Sequence, residues 1–134
     1  MRREVTLWLK AAKEDIEDAQ SALERKRFFR TAFFSQQAVE KALKALFFIV
    51  LRENPPYIHT VTELYQILRR GGFRLPEQLE KELYILNKYY TVTRYPDAAN
   101  GLPSESVDQI EAERALNIAK KVIKHAEEYT SKHS

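Results

Sequence analysis

Apolar residues recur at alternating steps of three and four along almost the whole chain. Nowhere do they alternate at every second position over the length of a strand. That period belongs to helices with one buried face, so it restricts the chain to an all-α architecture. Leu9, Ala12, Ile16, Ala19 and Leu23 form the first stripe and predict a helix from Arg3 to Lys26. Phe34, Ala38, Ala42, Ala45 and Ile49 form the second, from Arg30 to Arg52. Phe33, Leu46, Phe47, Phe48 and Val50 widen that second stripe until its end is apolar nearly all round. Such a helix is buried on several sides, within the domain or between subunits.

The interruptions carry as much information as the stripes. Asn54-Pro55-Pro56 stops the second helix, because proline lacks a donor and restricts the residue before it. Thr60-Val61-Thr62-Glu63 has the spacing of a capping box and opens a third helix, which Gly71-Gly72 ends. Pro76 suits the first position of the next helix, where Leu79, Leu83, Leu86 and Tyr90 make a stripe reaching Thr93. Tyr95-Pro96 breaks the chain again, and residues 94–106 form a long loop. A second capping box, Ser106-Val107-Asp108-Gln109, starts the last helix, with Ala115, Ile118, Val122, Ala126 and Tyr129 on its buried face. The expected architecture is an up-and-down bundle of four to five helices: two long, a broken third and a long fourth.

At 134 residues the chain fits one domain over 1–134. Its three glycines, Gly71, Gly72 and Gly101, exclude the Rossmann and Walker phosphate loops. The absence of cysteine removes disulfides, thiolate nucleophiles and cysteine-based zinc sites. No apolar run approaches a membrane span, the longest being Ala45 to Leu51, and Glu4, Lys10, Lys13 and Glu14 interrupt any signal core. A cytoplasmic protein without membrane association is expected. The net charge of +3 is unevenly spread: residues 1–52 carry +4 and residues 53–134 carry −1. Arg25-Lys26-Arg27 with Arg30, and Arg69-Arg70 with Arg74, could meet phosphates or could be solvated helix ends.

Three places could hold chemistry. His59 lies just before the Thr60 cap, where an imidazole could serve as a base near neutral pH. With Arg52 stabilising a phosphorane, it could cleave RNA without a metal; equally, it could bond a backbone carbonyl or pack on Tyr57. Gln37, Lys41 and Lys44 share one face of the second helix beside Gln36 and Glu40, and Glu40 to Lys44 is an i, i+4 pair of favourable polarity. These residues could line a cleft or be a solvated face. Arg94-Tyr95-Pro96-Asp97 offers a cation, a ring and a carboxylate, suited to the phosphate, base and ribose of a nucleotide, or else terminates a helix. His59, His125 and His133 show no metal-ligand spacing, so no metal and no cofactor is expected.

Trp8, Ala11 and Asp15, the stretch FFSQQAVEKALK from Phe33 to Lys44, His59 with Leu64, and Thr93-Arg94-Tyr95-Pro96-Asp97 occur in an order and spacing that resembles the HEPN family. The resemblance spans nearly the whole chain. It implies a four- to five-helix bundle that dimerises and binds a nucleotide or RNA. It also implies partnership with a minimal nucleotidyltransferase, in a pair resembling a toxin–antitoxin module. Many members of the wider superfamily are metal-independent RNases marked by an arginine, four to six residues, then a histidine. Arg52 and His59 meet that spacing, whereas no histidine follows Arg94 at that distance. The leading expectation is therefore a binding partner using Arg94, Tyr95, Asp97, Gln37, Lys41 and Lys44. The alternatives are an endoribonuclease toxin using His59 with Arg52 or Arg94, and a structural adaptor. Phe47, Phe48 and Leu51 are the expected apolar surface joining two chains.

Overall fold

In the computed structural model, residues 2–92, 101–102 and 105–133 are described. They form five helices: α1 (Arg2–Glu24), α2 (Phe28–Val50), α3 (Val61–Arg70), α4 (Glu77–Val92) and α5 (Gln109–His133). There is no strand among the described residues. Most helix ends fall within two residues of the expected positions, the ordinary spread at frayed termini.

α2 is the axis of the bundle, with α1, α3, α4 and α5 all packed against it. Its apolar end is thus buried within the domain. Leu43, Leu46 and Phe47 are enclosed there, each burial worth roughly 1.5–3 kcal/mol. Alanines line the α1, α2 and α5 contacts: Ala12, Ala19 and Ala22; Ala38, Ala42 and Ala45; Ala112, Ala115, Ala119 and Ala126. With no bulk at these positions the helices approach closely, and the larger side chains fill the layers between. Phe47 and Phe48 belong to this core, at 2% and 6% exposure, which corrects their assignment as exposed dimerisation surface. Leu51 alone of that trio is half-buried.

The α1–α2 turn is closed by Lys26 in the left-handed region, φ 61°. Arg27 N–H donates to the Ala22 carbonyl at 2.8 Å and Lys26 N–H to that of Leu23 at 3.0 Å, the two bonds of a Schellman motif. So short a turn makes α1 and α2 antiparallel neighbours. The same motif ends α3, with Gly72 at φ 111° and Phe73 N–H on the Leu68 carbonyl at 3.1 Å.

Both expected capping boxes are replaced. Thr60 is the N-cap of α3, yet its hydroxyl makes no cap bond. Instead, Asn87 of α4 accepts from the Thr62 amide at 3.4 Å and donates to the Thr62 hydroxyl at 2.8 Å. The orphan amide is satisfied from another helix. At α5 the cap is Asp108, not Ser106: its carboxylate accepts from the Glu111 amide at 2.8 Å. Pro76 sits one place before α4, where its carbonyl accepts the first helical bond, from Glu80 at 2.9 Å.

Candidate functional site

The polar residues of FFSQQAVEKALK do not all face solvent. Gln36 is fully enclosed, and Glu40 and Lys44 are each 6% exposed. Because i and i+4 positions lie above one another on a helix, the three stack along one face of α2. Glu40 is the hub. Its Oε1 accepts from Gln36 Nε2 at 3.2 Å, and its Oε2 accepts from Lys44 Nζ at 3.0 Å. His59 Nδ1 lies 3.0 Å from the same Oε2. Gln36 Nε2 also donates to the His59 carbonyl at 3.1 Å, and Gln37 donates to Gln36 Oε1 at 2.7 Å. The segment before α3 is thereby fastened to α2 at both the backbone and the side chain of His59.

This arrangement orients the imidazole. With Nδ1 on Glu40, Nε2 at the other side of the ring points away from the carboxylate. One ring face lies on Tyr90 of α4, centroids 4.5 Å apart and planes 9° from parallel. The His59 side chain is half exposed, whereas Glu40 and Lys44 behind it are 8% exposed. A buried charged pair therefore backs a presented ring.

The expected site residues divide between places. Lys41 pairs with Asp15 of α1 at 2.7 Å. Asp15 is 8% exposed, so its carboxylate is largely enclosed beside that ammonium. Burial accordingly raises the Asp15 carboxyl above its ordinary pKa, and Lys41 opposes the shift. Lys44 joins the His59 cluster, and Gln37 joins it through Gln36. Arg52 does not meet His59. It lies beyond the end of α2, whose last residue, Val50, is ten positions past Glu40, about 15 Å along the axis. There it lines a separate cavity with Arg2, Phe48, Thr130 and His133. Arg94, Tyr95 and Asp97 lie outside the described residues, as does most of the 94–106 loop. Glu40, Gln36 and Tyr90 were not singled out as site residues by sequence; the i, i+4, i+8 spacing of Gln36, Glu40 and Lys44 was the available signal. Among the described residues no three His, Asp or Glu side chains converge as a metal would require.

The chain matches the HEPN domain family over residues 5–129. It belongs to the HEPN family. Three solved structures share the fold. TT1696 of Thermus thermophilus is 34% identical, with a TM-score of 0.84 over 96% of this chain and 98% of that one. ST0689, an archaeal HEPN homologue, is 28% identical, with a TM-score of 0.76 over 93% and 96%. The HEPN domain protein TM0613 of Thermotoga maritima is 32% identical, with a TM-score of 0.71 over 92% and 97%. Comparison with curated proteins yields no match. Nor is any helix among the described residues long and apolar enough to cross a membrane.

Proposed function

We propose that this HEPN protein binds a nucleotide or RNA at the His59 cluster and acts as the partner of a minimal nucleotidyltransferase. The observation that carries the binding reading is the Glu40-anchored His59 stacked on Tyr90. A buried network that presents an oriented imidazole and an aromatic edge offers a hydrogen-bonding group and a stacking surface together, which a base and its ribose or phosphate can use. Arg94, Tyr95 and Asp97 follow Tyr90 closely in sequence and would add a cation, a second ring and a carboxylate. The nucleotidyltransferase partnership, the toxin–antitoxin setting and a homodimer rest on family resemblance.

The test is equilibrium binding of labelled mononucleotides and single-stranded RNA to wild type, His59→Ala and Tyr95→Ala. Both substitutions are expected to weaken binding about tenfold or more, the value of one base–aromatic stack or charge-assisted bond. Unchanged affinity in His59→Ala refutes the site, and unchanged affinity in Tyr95→Ala removes Tyr95 from it. Co-purification with a minimal nucleotidyltransferase tests the partnership separately.

One observation favours a second reading, a metal-independent RNase. A carboxylate on Nδ1 that leaves Nε2 outward is the orientation a general base requires. Cleavage of RNA in EDTA that disappears in His59→Ala would establish it. Absence of cleavage by a folded wild type would remove it.

A further inference from the structure

The sequence cluster Arg25-Lys26-Arg27 with Arg30 is gathered by the α1–α2 turn into one concave surface. A cavity of about 390 Å³ is lined there by Arg25, Arg27, Arg30, Phe34, Ser21 and Asp18. Three arginines thus share the cavity with a single carboxylate. Arg27 and Arg30 are both held against the Phe29 ring, their guanidinium carbons 5.4 and 5.2 Å from its centroid. Cations fixed by a ring rather than by a carboxylate keep their charge available to an anion.

Arg30 and Phe34, which line the cavity, also begin a half-buried face of α2 adjoining the face that holds His59. Arg30, Phe34, Gln37 and Lys41 recur at i, i+4, i+7 and i+11, one helical face. Phe33 and Phe34, edge to face at 5.7 Å, are both half-buried on or beside it. Gln37 connects it to Gln36 and so to Glu40 and His59. Arg30 and Glu40 are ten positions apart, about 15 Å along the axis. Cations at one end, aromatic rings between and an oriented imidazole at the other are the components of a sequence-tolerant single-strand site, where rings take bases and arginines take phosphates.

We propose that α2 carries a single-stranded RNA track, with Arg25, Arg27 and Arg30 as a phosphate subsite remote from His59. This rests on the nucleotide or RNA reading of the His59 cluster and selects the polymer over the mononucleotide. Charge complementarity selects RNA over a second copy of the chain, since two such arginine clusters would repel one another.

The test uses AMP and a labelled oligoadenylate of about eight residues, within the usual range of single-strand sites. The variants are the Arg25→Gln/Arg27→Gln/Arg30→Gln triple and Phe34→Ala, each checked by circular dichroism. The triple is expected to weaken oligoadenylate binding about tenfold or more and to lower its log-log salt slope by about 2, at roughly 0.7 per lost phosphate contact. AMP affinity stays unchanged. Phe34→Ala weakens the oligomer and leaves AMP alone. Unchanged oligomer affinity and slope overturn the track, and so does an equal loss for both probes. Sedimentation is the control for self-association: a wild-type dimer that dissociates in Phe34→Ala gives the face to a second chain and overturns the track. His59→Ala reports on the other end independently, because retained AMP binding there refutes the His59 site whatever the arginines do.

Discussion

Glu40→Gln is the substitution whose consequences follow most directly from the structure. It preserves shape and an acceptor for Gln36 but removes the charge that compensates Lys44. The two side chains are each 8% exposed and 3.0 Å apart. Lys44 cannot reach bulk water without disturbing the core, so its ammonium is left buried and unpaired. Losing one partner of a buried pair costs about 3–5 kcal/mol. Unfolding entropy near 2.1 cal/mol/K per residue gives this chain about 0.28 kcal/mol/K. The melting temperature should therefore fall by about 11–18 °C in far-UV circular dichroism. Adding Lys44→Met removes the stranded charge while keeping the volume, and should recover most of that loss. A loss below about 1 kcal/mol for Glu40→Gln, or a double variant no more stable than the single, refutes the buried-pair reading.

Three further outcomes are expected. Lys26→Gly relieves a left-handed residue that carries a Cβ and should raise stability by about 1 kcal/mol, read as a higher urea midpoint; a lower midpoint contradicts it. Burial, and then the hydrogen bond to Glu80, push the Tyr65 hydroxyl up to about 12 from its ordinary 10. The neutral phenol is favoured by folding, so its contribution is complete below about pH 10 and is lost as pH rises towards 12. Tyr65→Phe should flatten that part of the alkaline stability profile, and an equally steep fall contradicts the assignment. For Asp15, a folded pKa raised by burial means the ionised carboxylate opposes folding at neutral pH despite Lys41. Asp15→Asn should then change stability at pH 7 by less than about 1 kcal/mol in urea titration; a loss above about 2 kcal/mol contradicts that.

Helices were legible because apolar periodicity is local. Leu79, Leu83 and Leu86 are buried where their spacing puts them, and the apolar end of α2 is enclosed as its composition requires. The caps were not legible. Asn87 satisfies an amide 25 residues away, and Lys26 closes a turn that composition would assign to glycine. The same distinction governs the site. His59 stood out by its place before a helix, but its partner Glu40 lies 19 residues earlier and is met only after the Pro55-Pro56 segment turns the chain back. That reversal is also why a favourable sequence interval to Arg52 does not become proximity. Phe47 and Phe48 looked like surface because an all-round apolar helix has the same sequence whether its neighbours come from one chain or two.

Ligand recognition in this reading centres on His59. The most direct measurement is an NMR titration of the imidazole resonances with single-stranded RNA, because the chain has three histidines in different surroundings. His133 is tied to the backbone of Tyr129, and His125 lies near Glu128 on α5. The expected result is that His59 shifts and saturates with RNA while His125 and His133 stay in place. An unmoved His59 at saturating RNA, or equal movement of all three, contradicts it.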